Sequence, residues 1–133
     1  MQRSKVLVVD DSLIDREILK AYLESNFDVF IACDGGECLA SVTDVKPDIV
    51  LMDIMMPDLD GYELFGLIRT NPLTRNIPII FISGLHISTF EEKYPELEEY
   101  NLLRKPVMQE ELIQKIMQVL KLGIYSDKIE KLG

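Results

Sequence analysis

The residues of this chain that could perform chemistry follow short apolar segments, at the points where those segments end. They are Asp10, Asp11, Asp53, Ser83 and Lys105. A carboxylate can attack phosphorus as a nucleophile, and a divalent cation beside it stabilises the charge that develops. A hydroxyl and an ammonium group suit the peripheral oxygens of a phosphoryl group. Together these residue types predict transfer of a phosphoryl group to a carboxylate oxygen.

The three aspartates predict a metal site if the segments before them are parallel strands of one sheet. The carboxyl ends of parallel strands meet at one edge, so Asp10, Asp11 and Asp53 would converge there. Carboxylates within a few ångströms repel one another, and one would stay protonated unless a cation lay among them. Oxygen ligands with retained waters favour Mg²⁺, and Mn²⁺ accepts similar ligands. We therefore expect Mg²⁺ (or Mn²⁺) as the cofactor.

Each of these residues also has an ordinary structural interpretation. An aspartate or a serine that ends a strand is most often a turn or cap residue. A lysine is usually a solvated surface charge. The chemical interpretation rests on coincidence, because every expected strand end except the second carries one of these complementary groups.

The elements that must position these side chains alternate between strand and helix patterns. The strand candidates are Lys5–Val9, Asp28–Ala32, Ile49–Met52, Ile77–Ile82 and Leu102–Leu103. Ser12 can cap a first helix, whose predicted apolar face contains Ile14, Ile18, Leu19, Tyr22 and Leu23. A last helix is predicted over Gln109–Leu122. Strands that are apolar throughout are typical of a parallel sheet covered on both faces, which predicts a doubly wound α/β fold.

The composition predicts a single globular domain that does not bind nucleic acid directly. The chain has 133 residues and a formal net charge of −9, which opposes binding to nucleic acid or to an anionic membrane surface. No apolar stretch approaches the roughly 20 residues needed to span a bilayer, and the N-terminus lacks a signal-peptide pattern. We therefore expect a cytoplasmic protein without membrane insertion. Cys33 and Cys38 are expected to be free thiols.

Four motifs, in this order along the chain, resemble the receiver domain of two-component response regulators. They are VLVVDDS at Val6–Ser12, IVLMDIMMPDLDG at Ile49–Gly61, PIIFISG at Pro78–Gly84 and RKP at Arg104–Pro106. The resemblance covers about residues 4–121. It implies a flavodoxin-like fold with five parallel strands in the order 2-1-3-4-5 and helices on both faces. We expect a receiver domain over residues 1–122 and a short C-terminal tail over residues 123–133.

The resemblance also implies a role for each acidic residue. Asp53 is similar to the phosphoacceptor of the family. Asp10 and Asp11 resemble the acidic pair that binds the metal ion together with Asp53. The backbone carbonyl of Met55 is similar to the remaining protein ligand of that ion.

Ser83 and Lys105 resemble the hydroxyl residue and the lysine that contact the phosphoryl group in this family and carry the switch. Gly84 would leave the site open, and Pro106 is expected to follow Lys105 in a cis peptide bond. The family usually has an aromatic residue three positions before the lysine, where this chain has Leu102. That departure bears on the usual coupling between the hydroxyl and the aromatic ring, and not on phosphorylation itself.

The implied partner is a sensor histidine kinase or a histidine phosphotransfer protein, whose phosphohistidine would donate to Asp53. Water would later hydrolyse the acyl phosphate, and beyond these self-catalysed steps no enzymatic activity is expected. His86 is expected to be an ordinary loop residue. The segment Leu85–Tyr100 usually contains a full helix, but Pro95 interrupts it, so we expect a short or displaced helix. Apolar surface around the last two helices could support a homodimer.

Three other interpretations remain open at this point. The first is a Mg²⁺-dependent phosphatase or phosphotransferase with a phosphoaspartate intermediate. Such enzymes usually have a second acidic residue two positions after the nucleophile, where this chain has Met55. The second is an interaction domain with a degenerate site, which the complete set of site residues opposes. The third is a receiver fragment of a longer regulator.

Overall fold

Five parallel strands form one sheet in the computed structural model, which describes residues 3–54, 61–84, 92 and 102–132. The strands are β1 (Lys5–Val9), β2 (Asp28–Ala32), β3 (Ile49–Asp53), β4 (Ile79–Ser83) and β5 (Leu102–Arg104). The helices within the described residues are α1 (Leu13–Leu23), α2 (Gly35–Asp44), α3 (Gly61–Thr70) and α4 (Gln109–Leu132). The strand order β2-β1-β3-β4-β5 confirms the predicted order 2-1-3-4-5.

The core consists of two apolar clusters, one on each face of the sheet. On one face, buried residues of α2 and α3 pack on the strands; they are Cys38, Val42, Leu64 and Ile68. On the other face, buried residues of α1 and α4 do the same; they are Leu19, Leu23, Leu112 and Ile116. We call these the α2/α3 face and the α1/α4 face. Helices on both faces confirm the doubly wound prediction and explain why strand β3 is buried along its whole length.

The alternation of side chains along each strand decides which face a site residue occupies. Val8, Leu51 and Leu103 belong to the cluster on the α1/α4 face. Side chains two positions apart point to the same side of a strand. Asp53, the last residue of β3, therefore lies on the α1/α4 face, and Asp10 and Lys105 continue that face just beyond the ends of β1 and β5. By the same rule, Ser83 follows Phe81 on the α2/α3 face.

Helix α1 begins directly after the two aspartates because Ser12 caps it. The Asp15 backbone N–H donates to Ser12 Oγ at 3.3 Å, and Ser12 has extended backbone angles. The Ser12 backbone N–H donates in turn to Asp10 Oδ1 at 2.9 Å. An N-cap serine satisfies one of the free amides of the first helical turn. The cap thus holds the Asp10 carboxylate and the start of the helix in one rigid turn.

Three predicted details differ from the structure. The predicted apolar face of α1 is too wide, because Ile14 and Ile18 are 71% and 43% exposed. Helix α4 continues beyond the predicted end at Leu122 to Leu132, because a single glycine at Gly123 lowers helix stability by only about 1 kcal/mol and does not terminate a helix. Strand β4 begins at Ile79, two residues after the predicted start at Ile77.

Three further predictions concern the cysteines, membrane spans and the segment before β5. Cys33 and Cys38 are free thiols, as expected, and burial raises the pKa of Cys38 to about 12. Among the described residues, none of the helices has both the length and the apolar character required to cross a membrane. The predictions for Leu85–Tyr100, including His86 and Pro95, fall almost entirely outside the described residues.

Candidate functional site

Three carboxylates converge at the carboxyl edge of the sheet. Asp10, Asp11 and Asp53 each offer one oxygen, and these oxygens all lie within 4.8 Å of one another. Asp10 and Asp53 are buried, whereas Asp11 is exposed. The structure therefore brings together the three aspartates that the strand ends singled out.

The Asp10 carboxylate is held in place but is incompletely satisfied. Its Oδ1 accepts the Ser12 N–H, while its buried Oδ2 accepts no hydrogen bond from any described residue. Lys105 Nζ lies 3.6 Å from Oδ2, which is an ion-pair distance. Burial raises the pKa of Asp10 to about 6; the Ser12 N–H and Lys105 oppose this shift, and the charges of Asp53 and Asp15 add to it. An unsatisfied buried oxygen beside two other carboxylates fits a divalent cation, which would supply the missing partner.

Lys105 provides the positive charge of the site. Its ammonium group donates to Asp15 Oδ2 at 3.0 Å and to Asp53 Oδ2 at 3.2 Å. Partial burial acts to lower the pKa of Lys105. The Asp15 hydrogen bond and the charges of Asp53 and Asp10 outweigh it and raise that pKa, so the ammonium stays protonated. The site therefore contains a protonated ammonium group within hydrogen-bond distance of the Asp53 carboxylate.

The backbone around Lys105 ties it to strand β4. The Lys105 N–H donates to the Ser83 carbonyl at 2.8 Å, and the Lys105–Pro106 peptide bond is cis, as predicted. Ser83 is fully buried at the end of β4, where it pairs in register with Arg104. A shift of one strand end would therefore move the other.

The remaining predicted site residues have different outcomes. Within the part of the chain that the structure describes, a Cβ atom added at Gly84 would meet nothing within 4 Å, and its role in leaving the site open stays a prediction. Leu102 is half-buried and packs against the cluster on the α2/α3 face, the face that also contains Ser83. Met55 lies outside the described residues, so its carbonyl remains a predicted metal ligand.

Sequence reasoning missed one residue of the site, Asp15. It was assigned only a favourable charge in the first turn of α1, yet its Oδ2 accepts the shorter of the two hydrogen bonds that the Lys105 ammonium donates to Asp15 and Asp53. The available signal was its place in the first turn of α1, the helix that starts directly after the two aspartates of the site. The partner, Lys105, lies 90 positions away along the chain, and no local pattern indicates that pairing.

A pocket of about 360 Å³ adjoins these charged groups, between α1 and the end of β5. Asp10, Asp15 and Lys105 line one part of it, and the rest is largely apolar. The other lining residues are Ile18, Leu19, Tyr22, Ile82, Pro106 and Val107. The charges at the carboxyl edge are therefore solvated from one side and face apolar side chains on the other.

The chain belongs to the response regulator receiver domain family, whose sequence model matches residues 6–117. It is 36% identical over 113 residues to protein PilG of Pseudomonas aeruginosa, with 84% of each chain covered. It resembles the solved receiver domain of Francisella response regulator 1452, with 31% identity, a TM-score of 0.79, and 91% and 99% of the two chains covered.

Other relatives are much longer than this chain. The response regulator PleD of Caulobacter vibrioides is 29% identical over 129 residues, which cover 96% of this chain but only 28% of PleD. The matched part corresponds to the receiver portion, so the activity of such longer relatives does not transfer to this chain. Because the chain shares the receiver portion with these relatives, it is a phosphoacceptor signalling domain of two-component systems. This membership favours that class over the phosphatase or phosphotransferase alternative.

Proposed function

We propose that Asp53 accepts the phosphoryl group and that the surrounding residues perform the transfer. The observation that carries this proposal is the position of the Asp53 carboxylate. It is buried, bonded to Lys105 at 3.2 Å, and within 4.8 Å of oxygens from Asp10 and Asp11. A nucleophilic carboxylate needs adjacent positive charge; Lys105 supplies one such charge, and a divalent cation held by the three aspartates would supply the rest.

Asp10, Asp11 and Asp53, together with the backbone carbonyl of Met55, would hold Mg²⁺ or Mn²⁺. The unsatisfied Oδ2 of Asp10 supports this assignment, because a cation would offset the cost of burying that charge. The bound ion would neutralise negative charge that develops on the phosphoryl oxygens. The protein's own contribution is to fix the three carboxylates through the ends of β1 and β3.

Lys105 would pair with the phosphoryl oxygens, and Ser83 would donate its hydroxyl to them from the other side of the strand end. Their backbones are already linked by the hydrogen bond from Lys105 N–H to Ser83 carbonyl oxygen. Phosphorylation adds charge and acceptor oxygens. Movement of Ser83 and Lys105 toward those oxygens would shift both strand ends together, which is the switch that a partner reads.

The donor would be a sensor histidine kinase or a histidine phosphotransfer protein, the partners that receiver domains have as a family. The output would be contact with a downstream protein, and a homodimer is one form that contact could take. Phosphorylation and dephosphorylation would be self-catalysed. We place these events in the cytoplasm and without direct binding to nucleic acid, in line with the net charge of −9.

The test is intact-protein mass spectrometry after incubation with Mg²⁺ and acetyl phosphate. We expect one phosphoryl adduct on the wild-type chain, none on Asp53→Asn, and none when EDTA removes the metal. Asp44→Asn is the matched control, because Asp44 is exposed at the far end of α2, where the chain returns to the opposite edge of the sheet. That variant should be labelled like the wild type.

Two results would count against the proposal. An adduct of equal yield on Asp53→Asn would move the acceptor to another carboxylate. Absence of any adduct on the wild type, with acetyl phosphate and with histidine kinases as donors, would remove the phosphoacceptor role.

A further inference from the structure

The fourth carboxylate of the site, Asp15, has no part in the chemistry described above. It lies on the first turn of α1, whereas Lys105 follows strand β5. Its Oδ2 accepts a hydrogen bond from Lys105 Nζ at 3.0 Å, compared with 3.2 Å for Asp53 Oδ2. Two carboxylates therefore accept hydrogen bonds from one ammonium group, which Asp10 also approaches at 3.6 Å.

We propose that Asp15 competes with the phosphoryl group on Asp53 for Lys105 and so limits how much of the protein remains phosphorylated. This inference rests on the proposed role of Asp53. An ammonium group has three N–H donors, and two of them are used by Asp15 and Asp53. A phosphoryl group on Asp53 needs that ammonium to offset its own charge. Asp15 keeps one of the N–H donors occupied, and its carboxylate repels the added negative charge.

Asp15 is not needed to hold Lys105 in place. The Lys105 backbone is anchored by its hydrogen bond to the Ser83 carbonyl, and its side chain is also paired with Asp53 and Asp10. Loss of the Asp15 charge should therefore free Lys105 for the phosphoryl group without disordering it. This decides the sign of the effect, because a residue that only positioned Lys105 would weaken phosphoryl binding when removed.

The surroundings of Asp15 set the size of the effect. Its side chain is 37% exposed and that of Lys105 is 29% exposed, so water screens part of the interaction. The apolar side chains of Ile18, Leu19 and Val107 line the pocket beside the pair and limit that screening. Ion pairs of such intermediate exposure change equilibria by about two- to five-fold.

The experiment is a titration with beryllium chloride and fluoride at saturating Mg²⁺, which forms a tetrahedral trifluoroberyllate mimic of the phosphoryl group on a carboxylate oxygen. Amide NMR shifts would report the dissociation constant. We expect Asp15→Asn to bind the mimic about two- to five-fold more tightly than the wild type. Asp15→Glu retains the charge and should restore binding close to the wild-type value.

Glu17→Gln is the matched control for net charge. Glu17 is exposed on the same helix, and its substitution removes the same unit charge as Asp15→Asn. It should bind like the wild type. The difference between Asp15→Asn and the wild type should shrink at about 1 M salt, where the Debye length falls to about 3 Å. A structural perturbation would not depend on salt in this way.

The outcomes separate this inference from the proposed function. If the wild type does not bind the mimic in a manner that requires Asp53, the role of Asp53 itself fails. If the wild type binds but Asp15→Asn binds equally or more weakly, or Glu17→Gln gives the same gain, the competition by Asp15 is overturned.

Discussion

Charged residues occur at both edges of the sheet, but they are exposed to water at one edge and partly buried at the other. At the amino edge, where the strands begin, Arg3 and Asp28 form an ion pair of 3.8 Å with both side chains about half exposed. At the carboxyl edge, Asp10 and Asp53 are buried, and Lys105 is the cation that faces them. The first pair can separate into water at little cost, whereas the second group cannot.

The amino edge also uses its charged residues to hold the chain together. The Lys5 N–H donates to Asp48 Oδ2 at 2.7 Å, and Arg3 donates to the carbonyls of Glu24 and Phe27. These contacts connect the starts of β1, β2 and β3 and leave each charge near water. The carboxyl edge instead buries two carboxylates of the same sign, Asp10 and Asp53, close to each other. Both edges contain charged residues. What distinguishes the functional edge is that carboxylates of like charge are buried there.

The largest expected effect comes from removing the cation of the carboxyl edge. Lys105→Met should lower the free energy of unfolding by about 3 kcal/mol at pH 7 without Mg²⁺, since it leaves buried carboxylates unpaired. Urea unfolding monitored by circular dichroism measures this loss. Lys20→Met, which replaces an exposed lysine of α1, should change stability by less than about 0.5 kcal/mol. Equal losses in the two variants would remove the contrast between buried and exposed charge.

The next effect concerns the pH dependence caused by Asp10. Its pKa is raised from 3.8 to about 6 in the folded protein, so the folded state binds more protons than the unfolded state between these values. Stability is therefore greatest below pH 4 for this group and is lost as the pH rises through 6, by at most about 3 kcal/mol. Metal-free unfolding measured from pH 4 to 7 should show this loss.

Asp10→Asn provides the matched variant for that pH profile. It retains an oxygen for the Ser12 N–H but cannot titrate, so its stability should depend much less on pH over the same range. Asp28→Asn, at the amino edge, should leave the profile unchanged. An equally steep fall in Asp10→Asn would assign the pH dependence to other groups.

A somewhat smaller effect is expected from the metal. At a concentration 100 times its dissociation constant, Mg²⁺ should raise the free energy of unfolding by about 2.7 kcal/mol, because only the folded chain brings the three aspartates together. Asp11→Asn should lose most of this gain while its metal-free stability stays close to that of the wild type, since Asp11 is exposed. Thermal unfolding with Mg²⁺ and with EDTA measures both. A full Mg²⁺ gain in Asp11→Asn would exclude Asp11 as a ligand.

The smallest effect is expected at the amino edge. Asp28→Asn removes one partner of an exposed ion pair and should cost at most about 0.5 kcal/mol. Phosphorylation by acetyl phosphate should remain at the wild-type level in this variant. A loss comparable to that of Lys105→Met would show that the two edges are not energetically different.

The sequence was sufficient to predict the residues that depend on strand ends. Apolar runs followed by Asp10, Asp53 and Lys105 predict convergence, because parallel strands share one carboxyl edge. Contacts between helices and strands are less predictable. Asp15 was missed as a partner of Lys105, since its contact depends on how α1 docks against the end of β5.

The same limitation explains the errors in the helices. Ile14 and Ile18 have the spacing of a buried face, but α1 buries only Leu19 and Leu23, with Tyr22 half-buried beside them, and Ile18 instead lines the pocket next to the charged groups. Helix α4 extends beyond Leu122 because no proline stops it, and a lone glycine costs too little to do so. Local patterns predict that an element exists better than they predict its ends or its docking.

The central claim concerns one carboxylate, so the most direct measurement locates the phosphoryl bond. Borohydride reduces an aspartyl acyl phosphate to homoserine, and tandem mass spectrometry of the peptides then identifies the reduced position. After incubation with Mg²⁺ and acetyl phosphate, we expect homoserine at position 53 alone. Homoserine at position 10, 11 or 15 instead would contradict the assignment of Asp53 as the acceptor.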